Sequence, residues 1–173
     1  MKCSFYSGLI QIVSGDLQTS KTSEVLKILQ QVTDPEIPVL SLQDLGVIRQ
    51  VDVDDDHVIV TISPTYSGCP AMDIMEQDII DILEKQGKEN GLPNKVKVKT
   101  QLSPAWTTEW ITEKGKKELL KYGIMPPSKK GEIMCPQCKS KKIELLSQFG
   151  STACKALYRC KDCLEPFDYF KCH

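Results

Sequence analysis

"CPQCKSKKIELLSQFGSTACKALYRCKDC", residues 135–163, begins and ends with a pair of cysteines two residues apart. The first pair is Cys135 and Cys138, and the second pair is Cys160 and Cys163. Two thiolates at this spacing can bind one ion from a tight turn, and two such turns supply the four ligands of a tetrahedral zinc site. Two strand-like runs connect the turns. The stretch therefore predicts a zinc-ribbon β unit in which the four cysteines bind a structural zinc ion.

The metal and the remaining tail residues leave alternatives open. A rubredoxin-like iron or an iron–sulfur centre can use the same four cysteines. Cys154 lies between the two turns, where an unliganded cysteine is typically a packed small side chain. Cys172 and His173 follow the second turn, and these three residues are possible additional ligands. A unit of residues 134–173 is too short to fold by burial alone, which is a further reason to expect a metal.

The distribution of cysteines favours metal thiolates over disulfides. The 173-residue chain has eight cysteines, most of them clustered in the tail at paired spacing. No secretory signal pattern is present at the N-terminus of the sequence, so we expect a reducing, cytoplasmic environment.

Charge and hydropathy argue against two classes of partner. The formal net charge is −1, and the tail has a small positive surplus without an arginine cluster, so we expect no nucleic-acid binding. No apolar run is long enough to cross a bilayer, so we expect no membrane association. A ribbon that docks onto protein partners is the better prediction.

Residues 22–123 predict a larger α/β (α+β) unit. An amphipathic helix over 22–32 precedes DPEIPVLSLQDLG (34–46), for which the two prolines predict no regular structure. Two β-branched runs flank the acidic turn at 54–56 and predict an antiparallel hairpin. KVKVKTQL (95–102) predicts a third strand with one face in water.

Two further helices complete this unit, giving a short mixed or antiparallel sheet flanked by helices. One helix follows Pro70 and carries apolar residues at helical spacing, and a terminal helix ends near Gly123. We expect residues 1–21 to be an N-terminal extension without stable order and residues 124–133 to be a linker to the ribbon.

Cys69, in TYSGCPA (65–71), can be a buried hydrophobe, a reactive thiol or a metal ligand. A nucleophilic cysteine normally needs a base, and the chain has two histidines, His57 in a predicted strand and His173. A thiol at the N-terminus of a helix is stabilised as the thiolate, so the sequence predicts that Cys69 titrates near neutral pH. A thiolate without a base suits a soft metal better than acyl transfer.

Three stretches together resemble a known family. DPEIPVLSLQDLG (34–46), TYSGCPAMDIMEQDI (65–79) and FGSTACKALYRCKDCLEPFDYFKCH (149–173) are similar to the D-subunit family associated with the phenylacetyl-CoA epoxidase of bacterial phenylacetate degradation. The N-terminal unit resembles SufT-like iron–sulfur cluster assembly domains. The resemblance covers residues from about 24 to 173.

This resemblance implies an accessory or maturation subunit that helps to assemble or insert iron–sulfur clusters and does not itself catalyse epoxidation. It implies that Asp34, Glu36 and Cys69 bind iron or a transient iron–sulfur cluster. The implied partners are the epoxidase subunits, above all a reductase that carries flavin and a [2Fe–2S] cluster, and iron–sulfur assembly proteins. Members of the assembly-domain family are also prone to form homodimers.

Two functions from other classes remain open. The chain can be a zinc-stapled interaction adaptor without cluster transfer, or a thiol enzyme that uses Cys69. Asp34 and Glu36 are also residue types that are common in turns. The sequence has no di-iron Glu-x-x-His pattern, no flavin motif and no plant-type cluster spacing, so we do not expect an oxygenase in this chain alone.

Overall fold

The computed structural model describes residues 16–66, 68–128 and 132–171. We call residues 16–123 of this set the N-terminal unit and residues 132–171 the ribbon. The elements in chain order are α1 (Asp16–Leu29), β1 (Thr33–Asp34), β2 (Ile37–Ser41), β3 (Ile48–Val53), β4 (His57–Ile62), α2 (Met72–Gly87), β5 (Lys95–Thr100), α3 (Glu113–Lys121), β6 (Ile143–Ser147), β7 (Lys155–Cys160) and β8 (Pro166–Phe170). The predicted mixed α and β fold is confirmed.

The main sheet of the N-terminal unit has the strand order β3-β4-β5. The β-branched runs pair as the predicted antiparallel hairpin, and β5 lies parallel to β4 after the crossover through α2. Every second residue of β4 is buried, so one face of the sheet carries the core. The lysines of β5 are exposed while Val96 and Val98 pack on the core, which confirms the predicted wet face.

Helices α1 and α2 cover the buried face of this sheet. Both present apolar residues at helical spacing to one core, which includes Val25, Ile28, Leu29, Met75, Ile79 and Leu83. Helix α1 begins at Asp16 rather than near residue 22. The segment DLQTSK (16–21) holds no proline or glycine that would end the helix earlier.

The prediction that residues 34–46 lack regular structure is wrong. β1 and β2 pair antiparallel in a separate two-stranded sheet. Pro35 occupies the turn between them, and Pro38 lies in β2. A proline is tolerated in such a strand because an edge strand need not use every backbone N–H in pairing.

The ribbon is a three-stranded antiparallel sheet in the order β6-β7-β8. The sequence predicted the first two strands and missed β8. A small aromatic cluster supports the sheet, since the Tyr158 ring lies 5.8 Å from Tyr169 and 6.0 Å from Phe167 between centroids.

The ribbon packs directly against the N-terminal unit. Phe170 at the end of β8 is fully buried in the core of the N-terminal unit, with its ring centroid 6.0 Å from that of Trp106. The Met125 N–H donates to the Asp168 carbonyl at 2.8 Å, and the Phe170 N–H donates to the Met125 carbonyl at 2.9 Å. Met125, which lies in the predicted linker, is therefore paired with the ribbon.

Across the described residues, every helix is too short or too polar to cross a bilayer.

Candidate functional site

The first candidate site is the group of four cysteine sulfurs in the ribbon. All four sulfurs lie within 4.8 Å of one another. The Cys135 and Cys163 sulfurs are 3.6 Å apart, and those of Cys138 and Cys160 are 3.5 Å apart. Zn–S bonds of about 2.3 Å in a tetrahedron require S–S distances of about 3.8 Å. The donor set therefore fits one zinc ion.

Both cysteine turns have the same backbone design. Lys139 follows the second cysteine of the first turn with a φ of 62°, and Leu164 follows that of the second turn with a φ of 65°. Residues other than glycine rarely adopt this left-handed conformation, so each turn holds local strain. Cys135 and Cys160 are buried while Cys138 and Cys163 are exposed, so the site lies at the rim of the ribbon core.

Without a metal, the four thiols compete for negative charge. The backbone N–H of Cys163 donates to the Cys160 sulfur and lowers the pKa of Cys160 to about 6. The backbone N–H of Glu165 lowers the pKa of Cys163, but partial loss of hydration and the neighbouring thiols raise it to about 12. A divalent cation would relieve this competition, because metal-bound cysteines are deprotonated.

The three remaining candidate ligands of the tail have different outcomes. Cys154 is buried and does not belong to the four-sulfur group. The hydroxyl oxygen of Thr152 lies 3.0 Å from the Cys154 sulfur. Cys172 and His173 lie outside the described residues.

The second candidate site forms around the turn between β1 and β2. The Asp34 side chain is buried, and its Oδ1 accepts hydrogen bonds from the N–H groups of Glu36 and Ile37, both at 2.8 Å. Burial is the main influence on this carboxyl and raises its pKa. The hydrogen bonds that the Asp34 carboxylate accepts from the two backbone N–H groups lower its pKa, and so does the Lys155 ammonium. The charge of Glu36 raises it further. Lys155 belongs to the ribbon, so both units shape this site.

Cys69 lies half-buried in the loop between β4 and α2, near the same carboxylates. The Ala71 N–H and the Tyr66 hydroxyl both lie close enough to lower the pKa of its sulfur. Glu36 and Asp34 both act on the Cys69 thiol through their charge. Of the three residues implied for this site, the structure thus brings Cys69 into the electrostatic range of Asp34 and Glu36.

The prediction that Cys69 titrates near neutral pH is contradicted. Burial is the largest influence and raises the pKa of the Cys69 thiol, and the charges of Glu36 and Asp34 raise it further. The hydrogen bonds from Ala71 and Tyr66 lower it by less. Helix α2 begins only at Met72, after Cys69. The dipole of α2 therefore does not control this thiol.

His57 does not serve Cys69 as a base. It lies at the start of β4, with its Nδ1 3.6 Å from Asp54, whereas the Cys69 loop follows the end of that strand. A strand of this length separates its ends by about 16 Å. The groups that act on the Cys69 thiol are the Ala71 N–H, the carboxylates of Glu36 and Asp34, and the Tyr66 phenol.

Two family models match different parts of the chain. The family model of iron–sulfur cluster assembly proteins matches residues 22–99, and the model of the PaaD zinc beta ribbon domain matches residues 124–171. The chain is 46% identical over 156 residues to the putative D subunit of the 1,2-phenylacetyl-CoA epoxidase of Escherichia coli K12, in an alignment that covers 86% of this chain and 92% of that protein. This chain belongs to the D-subunit family. The resemblance seen in the sequence is confirmed.

Two other proteins are each similar to 60% of this D-subunit family member. The Fe–S protein maturation auxiliary factor of Porphyromonas gingivalis is 36% identical over 104 residues, covering 60% of this chain and 92% of that protein. The crystal structure of a domain of unknown function (DUF59) from Bacillus anthracis has a TM-score of 0.56 at 24% identity, covering 60% of this chain and 95% of that one. The latter supports the fold alone.

Sequence reasoning missed two residues of the second site in this D-subunit family member. Burial and the nearby Cys69, Glu36 and Cys154 raise the pKa of Tyr66 to about 12, so its hydroxyl stays a hydrogen-bond donor. Tyr66 is part of the TYSGCPA motif, where its closeness to Cys69 was a usable signal. Lys155 gave no such signal, because the ribbon brings it to the site from a distant part of the chain.

We expect Cys69 to be alkylated slowly at pH 7, because burial and Glu36 hold its pKa above the ordinary value. A cysteine thiol whose pKa lies above its ordinary value is mostly protonated at pH 7, and the protonated form reacts slowly. Pulse labelling of the zinc-loaded protein with iodoacetamide, followed by peptide mass spectrometry, measures the alkylation midpoint. Glu36→Gln should move this midpoint to lower pH. A midpoint at or below pH 7 in the unmodified chain would contradict the expectation.

Proposed function

We propose that this chain assists the assembly of an iron–sulfur cluster or its delivery to the reductase component of a phenylacetyl-CoA epoxidase. The observation that carries the proposal is the grouping of the Cys69 thiol with the carboxylates of Asp34 and Glu36. Thiolate and carboxylate are both ligands of iron in proteins. The name of the maturation factor that is 36% identical to this chain supports the same function for the N-terminal unit.

The surroundings of Cys69 favour binding over catalysis. A nucleophilic cysteine is activated by an adjacent base or by a lowered pKa. Here the pKa of Cys69 is raised, and His57 lies at the far end of β4. A soft metal supplies the activation that this site otherwise lacks, because it replaces the thiol proton.

We assign a structural zinc ion to Cys135, Cys138, Cys160 and Cys163. The spacing of their sulfurs supports the assignment, and a site filled by four thiolates has no open position for a substrate. The zinc would therefore hold the two cysteine turns together and take no part in chemistry. The ribbon fixed in this way serves as the docking unit.

The partners that follow are the epoxidase subunits in the cytoplasm, above all the reductase with its flavin and [2Fe–2S] cluster. Iron–sulfur assembly proteins are the source of the cluster. The D-subunit relative in Escherichia coli supports the link to the epoxidase.

The test is a strain that makes the oxygenase subunits and the reductase but lacks this protein. The reductase purified from it should hold flavin and have lost most of its [2Fe–2S] cluster, as measured by iron and sulfide per flavin. Cys69→Ala should fail to restore the cluster. Cys3→Ala, at a cysteine outside the described residues, should restore it and serves as the control.

A reductase fully loaded with cluster in the deletion strain would refute the maturation function. The interaction adaptor would then be the better interpretation. In that case, Cys69→Ala should leave recruitment to the epoxidase complex unchanged.

A further inference from the structure

Cys154 of the ribbon lies in the core of the N-terminal unit. Its side chain is only 4% exposed and belongs to the same buried cluster as the residues of α1 and α2, and Cys69 packs against that cluster. The Cys154 carbonyl accepts a hydrogen bond from the Lys171 N–H at 3.0 Å, which ties it to the end of β8. Cys154, a residue of the ribbon, is therefore part of the core of the N-terminal unit.

The carboxylates of Glu36 and Asp34 act on both Cys154 and Cys69. Burial chiefly raises the pKa of the Cys154 thiol, and the charges of Glu36 and Asp34 raise it further, as they do for Cys69. The Tyr66 phenol lies in electrostatic range of both sulfurs. Two independent segments therefore bring their thiols to one pair of carboxylates.

Lys155, next to Cys154, adds a positive charge near the same carboxylates. The residue is 3% exposed, and among the described residues its ammonium forms no ion pair within 4 Å. It lines a cleft of about 560 Å³ between the two units, together with Glu36. Burial raises the pKa of Asp34 and of Cys154, and the positive charge of Lys155 partly offsets this effect at both groups.

We propose that Cys154 and Cys69 together ligate the iron–sulfur cluster, so that the ribbon completes the site of the N-terminal unit. This inference rests on the proposed function. The donor atoms of Cys69, Cys154 and Asp34 do not all lie within 4.8 Å of one another, unlike the four sulfurs of the ribbon. A cluster of several irons can span donor atoms that do not meet around a single ion, and such clusters are held by cysteine thiolates. Asp34 or Glu36 is available as a further ligand.

The arrangement also connects the two metal sites. Cys154 immediately precedes β7, and the ribbon cysteine Cys160 ends the same strand. A zinc ion on Cys160 therefore fixes the strand that positions Cys154. The ribbon serves cluster binding in this way as well as docking.

The test is anaerobic reconstitution of the zinc-loaded, full-length protein with ferrous iron and sulfide. After desalting, we expect the unmodified chain to retain iron, sulfide and visible cluster absorption. Cys69→Ser and Cys154→Ser should each retain at least about tenfold less cluster iron. Cys3→Ser is the control and should match the unmodified chain. Zinc content reports whether the ribbon remains folded in each variant, and Cys154→Ala provides a second substitution.

The inference is wrong if Cys154→Ser retains as much cluster iron as the unmodified chain. In a second experiment, cobalt(II) is added to the same protein without sulfide. Cobalt bound tightly through both thiols, with no cluster formed in the first arm, would overturn the cluster as the ligand. Neither result refutes the proposed function. That function is tested separately, by the cluster content of the reductase in the deletion strain.

Discussion

Replacing Cys160 with serine is expected to release about one zinc ion per chain and to unfold the ribbon. Structural zinc contributes on the order of 10 kcal/mol to the folding of such small units. The core of the ribbon itself is a few aromatic and apolar side chains, among them Phe167 and Tyr169. That core cannot replace the metal. Zinc per chain, measured by mass spectrometry of the metal, and limited proteolysis of residues 132–171 test this expectation.

Cys154→Ser is the matched control for the zinc site. It also replaces a buried cysteine of the ribbon, but one that lies outside the four-sulfur group. Its zinc content should equal that of the unmodified chain. Unchanged zinc in Cys160→Ser would show that the four-cysteine assignment is wrong, and zinc loss in Cys154→Ser would add Cys154 to the ligands.

Local patterns in the sequence predicted most of the regular structure. The hairpin of β3 and β4 follows from alternating β-branched residues around an acidic turn, and α2 follows from apolar residues at helical spacing. The cysteine turns were predictable because four ligands of one ion must occur at short, paired spacing. Each of these signals lies within about thirty residues of sequence.

The missed features depend on contacts between distant segments or on local exceptions. β2 tolerates Pro38 because it lies in an isolated two-stranded sheet, and Pro35 occupies the turn before it. The raised pKa of Cys69 depends on burial and on Glu36, which the Cys69 motif does not contain. Cys154 reaches the core of the N-terminal unit because the ribbon packs against that unit. The spacing of residues in the sequence does not predict this packing.

Replacing Phe170 with alanine is expected to destabilise the whole described chain, although Phe170 is a ribbon residue. Its ring is fully buried in the core of the N-terminal unit beside Trp106. Truncation of a buried phenylalanine leaves a cavity and typically costs about 3–5 kcal/mol in the free energy of unfolding. Urea unfolding followed by tryptophan fluorescence measures this loss, since Trp106 reports directly on the altered contact.

Phe149→Ala is the matched control, because Phe149 is also an aromatic residue of the ribbon but is 67% exposed. Its ring contacts the Lys171 ammonium at 4.8 Å, an exposed cation–π contact worth about 0.5–1 kcal/mol. Phe170→Ala should keep its zinc, because Phe170 lies on β8, outside the four-sulfur group. If the two variants lose equally little stability, the ribbon and the N-terminal unit do not share a core. If Phe170→Ala alone is costly, unfolding the ribbon must also expose the core that Cys69 packs against, and zinc loss should then weaken both units together.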